Sequence, residues 1–215
     1  MANEIDVCNL ALSHLGDSAT VAAIDPPEGS IQAMHCARFY PIARDALLEM
    51  HDWNFCTRRE SPALLVDVIA PWLYCYAKPN LCQKIIAVIS PEADDDYSSP
   101  AGVDDEVPTV YVPQPYAVET LADGTEVICT NQEDAVLRYT AKVTDPTKFS
   151  SLFVMALSWL LASMLAGPLI KGDVGQKEAR RCQQEAMGLV VSAKVNDANQ
   201  KKSSTTHSVP WLSGR

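Results

Sequence analysis

Ile5, Cys8, Leu12 and Leu15 are spaced three and four apart, which places them on one face of an α-helix. Asn3 stands where an N-cap belongs and Gly16 where a left-handed stop belongs, so the spacing predicts a first helix over about 4–15. After a turn at DPPEGS, helical spacing returns over about 30–50. Pro41 lies inside that run and removes one backbone hydrogen bond, so a kink or short break is expected near Tyr40. Two more helices follow late in the chain. One covers about 147–166, from an Asp145–Pro146 start to a Gly167–Pro168 stop. The other covers about 173–195 and opens on Asp173 and Gln176 as a variant capping box.

Between the helical pairs the helical period is lost. The stretch after Arg58 and Arg59 is broken by Pro62, Pro71 and Pro79 and reads as irregular structure with short extended pieces. QKIIAVIS, residues 83–90, reads as a buried strand. In AVETLADGTEVICT, Asp123–Gly124 matches a two-residue hairpin turn between strands at 117–122 and 125–130, and AVLRYTAKV at 135–143 adds a third strand. The pattern predicts an α+β, mainly helical fold: a bundle of about four helices with a small antiparallel β-sheet, drawn from 83–143, to one side. It forms one domain over 1–195, with a flexible C-terminal arm over 196–215.

Two segments change that picture. The run from Phe149 to Ile170 carries no charge and is long enough to span a bilayer. Four serines and flanks without a marked Lys and Arg excess point instead to a helix packed inside protein, apolar nearly all round. In a chain this small, such a helix implies that neighbouring subunits help to cover it. The last helix carries Ala179, Cys182, Ala186, Leu189 and Ala193 as a seam of mostly small residues, along which a partner helix can approach closely.

Composition is that of an ordinary globular chain: 215 residues, 47% hydrophobic and 20% charged. The net charge of −10 argues against phosphate affinity, which rests on clustered Lys and Arg. That bears on HDWNFCTRRE, where Trp53 and Phe55 follow a helix end and precede Arg58 and Arg59. Stacked bases on the aromatics would suit a basic protein; here an aromatic plug that locks the helix end into a core is the favoured reading. An extended chain would then turn Asp52 and Asn54 outward. The seven cysteines form an odd set without a CxxC pair and read as reduced, buried, small hydrophobes. The opening MANEIDVCNLAL lacks a basic region and a cleavage site, so a reducing cytoplasm is the expected place of synthesis.

Candidate chemistry is sparse. His14, His35, His51 and His207 show no metal-ligand spacing, and no Walker loop, GxSxG or GxGxxG occurs. His35 and Cys36 are helix neighbours that point about 100° apart, so they cannot act as base and nucleophile. The acidic loop 92–106, EADDDYSSPAGVDDE, has its acids in two blocks around Ser-Ser-Pro and fails the alternation a calcium loop needs. It reads as a solvated loop. No catalytic, cofactor-binding or metal-binding residue is assigned, and a non-enzymatic role is expected. The arm NDANQKKSSTTHSVPWLSGR is polar until Val209, Pro210, Trp211 and Leu212. Lys201 and Lys202 make it locally basic, so it reads as a segment that orders on a partner, with the apolar end as its anchor.

Four stretches, taken in order, carry a family resemblance: DVCNLALSHLGD (6–17), ARDALLEMHDWNF (43–55), PWLYCYAKPNLCQKIIAV (71–88) and AVLRYTAKVTDPTKFSSLFVMALSWLLASMLAGPL (135–169). In these the chain resembles the tail tubular protein A family, the head–tail adaptors of short-tailed bacteriophages. The resemblance implies a structural virion protein that forms a closed ring of about 12 subunits. Such a ring docks beneath the portal protein, above the tail nozzle protein and near the tail fibres. DNA passes through its channel without specific binding, and no membrane is involved. The expected location is the head–tail junction of the virion, with assembly in the host cytoplasm. On this reading Arg58 and Arg59 lie on an exposed edge, facing a neighbouring acidic subunit, and the arm reaches the portal or a neighbour. The alternative, from another class, is a tail-associated polysaccharide or cell-wall hydrolase.

Overall fold

The computed structural model describes residues 2–91 and 114–200. The acidic loop 92–106 and residues 201–215 of the expected arm lie outside the described residues; residues 196–198, also assigned to the arm, instead continue the last helix. The chain divides into two compact units. The first is discontinuous, built from residues up to Cys56 and from Lys142 to Gln200; the second, Thr57–Ala141, is inserted into it. The fold class is the expected one, α+β and mainly helical, with four α-helices and two small antiparallel sheets of three strands each among the described residues.

The first unit holds α1 (Glu4–His14), α2 (Ile31–Glu49), α3 (Ser151–Ile170) and α4 (Gly172–Ala198). Asn3 caps α1 in a reciprocal box with Asp6, and Gly16 takes the left-handed conformation after its end. Ser30 caps α2 through the Ala33 N–H. That helix runs continuously through Pro41, so the expected short break does not occur. Pro41 is exposed, so the backbone acceptor it strands falls on the solvated side of the helix.

The bounds of α3 differ from the expected 147–166. Asp145 does cap, but it caps a single 3₁₀ turn, Pro146–Lys148, through the Thr147 N–H at 3.0 Å. Phe149 then extends the chain, and Ser150 caps the helix proper through Phe153 N–H. Gly167 and Pro168 do not stop it. In the last turn a proline forfeits only one bond, and the helix continues to Ile170. It ends where Lys171 (φ 60°) and Gly172 (φ 61°) turn the chain directly into α4, so the Asp173 capping box is not formed. Asp173 instead places negative charge in the first turn, where the helix dipole favours it.

Helix α3 is the hub: α1, α2 and α4 all pack on it, and α1 meets α2 over a smaller contact that includes Cys8 and Cys36. Gly175, Cys182, Ala186, Val190 and Ala193 of α4 are buried. A Cβ on Gly175 would stand 3.0 Å from the Ala166 carbonyl oxygen, so the glycine permits the closest approach of α4 to α3. The small-residue seam is therefore occupied within the chain and is not left for a neighbouring subunit. Ala179 and Leu189, placed on that seam by spacing, are only half-buried. The expectation that α3 is buried all round holds for part of its surface. Ser151, Met155, Trp159, Ser163 and Gly167, four apart, form a line of partly and fully exposed residues. Among the described residues α3 is the one helix long and apolar enough to cross a membrane, and half of that stretch is buried within the chain.

The second unit contains β1 (Thr57–Glu60), β2 (Tyr74–Ala77), β3 (Cys82–Ile89), β4 (Tyr116–Thr120), β5 (Glu126–Thr130) and β6 (Val136–Ala141). They form two sheets, ordered β1-β6-β3 and β2-β5-β4, rather than the single sheet expected within 83–143. Two strands, β1 and β2, precede that range. The hairpin at Asp123–Gly124 is as expected, with Gly124 at φ 88° and Asp123 accepting from Thr125 N–H. The expected third strand, β6, does not extend that hairpin; it is the centre of the other sheet. Tyr76 and Ile128 from one sheet and Val88, Leu137 and Tyr139 from the other share a single hydrophobic core.

Candidate functional site

The aromatic stretch after α2 forms a lock. Trp53 is fully buried and donates Nε1–H to the Leu47 carbonyl at 2.9 Å, tying the ring to the helix it follows. Phe153 meets it edge-on at 5.1 Å, and Phe55 packs against both Phe149 and Phe153. The backbone here is not extended. Asn54–Cys56 form a 3₁₀ turn, so Phe55 is only half-buried and Asn54 does not point outward. Asn54 faces Asp197 near the end of α4, and His51 Nε2 stands 3.3 Å from the same carboxylate. Asp197 is buried, and its charge adds to burial in pushing the nearby Cys56 thiol up to about 12. The clamp is structural: it joins two distant parts of the first unit.

A second cluster carries the residue types of a nucleophile and base. His14 Nε2 lies 3.1 Å from Ser158 Oγ, and the imidazole stacks on Trp159 at 3.8 Å. Arg181 lies over the Trp159 ring at 5.2 Å and pairs with Glu178. Burial, with the Arg181 charge, holds His14 below the ordinary histidine value. Ser158 is buried and donates its proton to the Met155 carbonyl at 2.8 Å. Its oxygen is then the acceptor for Nε2–H, so the imidazole is a donor here and not a base toward the serine. The pair anchors α1 to α3.

Asp123, Asp145 and Glu178 are held below the usual range, the first two by hydrogen bonds from neighbouring threonines and the third by Arg181. Among the described residues no group of three His, Cys, Asp or Glu could hold a metal ion. Two shallow depressions, each of about 290 Å³, are open to solvent. One lies beside Lys78 and Glu126, which pair at 2.6 Å, and the other beside Thr147 and Met155.

Of the residues singled out by sequence for partner binding, Lys201, Lys202, Val209, Pro210, Trp211 and Leu212 lie outside the described residues. Arg58 and Arg59 stand exposed on β1, an edge strand that pairs with β6 on one side. The edge strand ends at Glu60, which accepts from Tyr139 Oη–H at 2.7 Å. Burial, followed by that carboxylate, pushes the Tyr139 phenol up to about 12.

Sequence reasoning placed irregular structure between β1 and β2 but missed the apolar face that it turns to solvent. This loop folds against the outer edge of β2, with Leu65 N–H donating to Cys75 and Ala77 N–H to Ala63. Leu65, Ile69 and Trp72 turn inward onto Cys75, Val127 and Cys129. Leu64, Val66, Val68 and Leu73 turn outward, and Val66 is 98% exposed. The signal was present in SPALLVDVIAPWL: a proline-bounded apolar run with a single charge and no partner strand of its own. No protein-family model matches the chain, and no curated protein sequence matches it.

Proposed function

We propose that this chain is a structural virion protein, a head–tail adaptor that assembles into a ring between portal and tail nozzle and extends the DNA exit channel. The observation that carries the assembly is the loop from Leu64 to Leu73. Its backbone is fixed on β2, yet four large apolar side chains face solvent. A surface of that kind marks a protein contact. Ile31, Met34 and Ile42 extend the same argument to α2, and Val191 and Val195 to α4. Arg58 and Arg59 are exposed on an edge strand in a chain of net charge −10, where successive side chains turn to opposite faces, and Arg58 is the residue assigned to an acidic neighbour.

The four stretches that carry the family resemblance support the virion assignment, in that order along the chain. Their elements fit it: a capped α1, an α2 ending in an aromatic lock, a strand after the proline-bounded loop, and β6 followed by Thr-Asp-Pro and α3. The acidic excess suits a conduit, which must release its cargo.

Native mass spectrometry of the purified chain, alone and with portal protein, tests the proposal. A ring of about 12 copies is expected, formed alone or on the portal. A chain that stays monomeric in both samples would end the adaptor reading. Tight, salt-sensitive binding of duplex DNA by the ring would end the conduit reading.

A further inference from the structure

Beneath the apolar loop lies a pair of thiols that the adaptor reading does not use. Cys75 on β2 and Cys129 on β5 are directly opposed in the antiparallel register, and their Sγ atoms are 2.9 Å apart. The backbone fixes the type of pairing. The Cys75 carbonyl accepts from Leu65 N–H at 2.8 Å, on the side of β2 away from β5. The N–H and C=O of one strand residue point to the same edge, so Cys75 makes no ladder bond to Cys129. Theirs is a non-hydrogen-bonded pair, the kind in which Cα atoms are about 4.5 Å apart and side chains closest. A disulfide spans Cα separations of about 4.4–6.8 Å, with sulfurs about 2.05 Å apart, so this pair needs only a small approach to bond.

We propose that Cys75 and Cys129 are an oxidation site, at which hydrogen peroxide converts the two thiols to a cross-strand disulfide that staples β2 to β5 beneath the apolar loop. The chemistry balances. One thiolate attacks a peroxide oxygen, the O–O bond breaks, and hydroxide leaves to be protonated to water. The resulting sulfenic acid is attacked by the second sulfur, the S–S bond forms, and a second water leaves. Two thiols lose two hydrogens and two electrons to one peroxide.

The surroundings select the oxidant. Both thiols are fully buried, Ile69 N–H donates to the Cys75 sulfur at 3.4 Å, and Leu65 and Trp72 complete the cover. Peroxide is small and uncharged and can enter where a charged peptide thiol cannot. Burial and the hydrogen bond with Cys75 push Cys129 up to about 12, so bridging is slow at neutral pH and favoured by alkali.

The test uses the full-length chain, reduced, desalted and exposed to hydrogen peroxide, then denatured with an alkylating agent and digested without reductant. Mass spectrometry is expected to recover the Cys75 and Cys129 peptides joined and unalkylated, and reductant should restore both as thiols. Recovery of both as alkylated thiols would overturn the proposal. So would their separate oxidation to sulfinic acids, or bridging confined to other cysteines such as Cys8 and Cys36. The bridged protein is expected to melt roughly 10 °C higher than the reduced one. Cys129→Ser should show no peroxide-dependent rise, and an unchanged melting point in the bridged wild type would overturn the stapling.

Discussion

Asp197 receives the backbone N–H of Asn54 on both carboxylate oxygens, at 3.2 and 3.1 Å, while Asn54 Nδ2 donates to the Asp197 carbonyl at 2.7 Å. The two residues are 143 positions apart. An acid near the end of α4 works against the helix dipole, so its position calls for a compensating partner. Asn54 and His51 supply it. Asp197→Ala strands the Asn54 N–H and is expected to cost about 1–3 kcal/mol in chemical denaturation. Hydrogen exchange in the last turn of α4 should quicken in the same variant. A change confined to exchange, with unaltered stability, would show the clamp to be local only.

Trp53 tests the lock from the other side. Trp53→Ala removes a fully buried ring and is expected to cost about 3–5 kcal/mol. Trp53→Phe keeps most of the packing but leaves the Leu47 carbonyl unpaired, for a loss of about 1–3 kcal/mol. Urea melts of the two variants separate packing from hydrogen bonding. Equal losses would assign the whole effect to the hydrogen bond.

His14 gives the fold a pH dependence of definite sign. Its folded-state value lies below 6.5, so the unfolded chain takes up the proton first as pH falls. Stability from this residue is full above 6.5 and is lost as pH drops through the lower, folded value. His14→Phe retains a ring against Trp159 and should flatten the stability curve between about pH 7.5 and 5.5. The carboxylates Asp123, Asp145 and Glu178, also depressed, act in the same direction but in a lower window, below about pH 4.5. A variant with the wild-type slope above that window would remove His14 from the account.

Val66→Asp in the apolar loop probes assembly without touching a core. The side chain is 98% exposed, so protomer stability should shift by less than about 0.5 kcal/mol. If the proposed ring forms through this loop, sedimentation of the variant is expected to show its loss, with folded protomers remaining. A variant ring as stable as wild type would move the contact elsewhere.

Local signals were legible in this chain, and distant partnerships were not. Asn3 and the Asp123–Gly124 turn act through residues two or three positions away, so their roles follow from spacing alone. Asp145–Pro146 was misread because a good cap is also a good start for a 3₁₀ turn, and Ser150 caps again just downstream. Strand β1 was missed because Thr-Arg-Arg-Glu carries no apolar alternation; an edge strand takes its order from the partner it pairs with. The seam on α4 was read correctly as small, but its partner, α3, could not be told from a second subunit by spacing. His14 and Ser158, like Asn54 and Asp197, meet only because the folded chain brings them together.

The insertion of one unit into the other sets a timetable for folding during synthesis. Helices α1 and α2 leave the ribosome before α3, yet the larger contacts of each are with α3. Before α3 exists, the whole inserted stretch, Thr57–Ala141, must be translated, which at typical rates takes about 4–17 s. That stretch is continuous and can close on itself as it emerges. Throughout the interval the inward faces of α1 and α2, with Leu12, Leu47 and Leu48 among them, stand open to water and to other nascent chains. The segment that carries α1 and α2 is therefore where a holding chaperone would be needed during translation, and where crowded polysomes would produce aggregates.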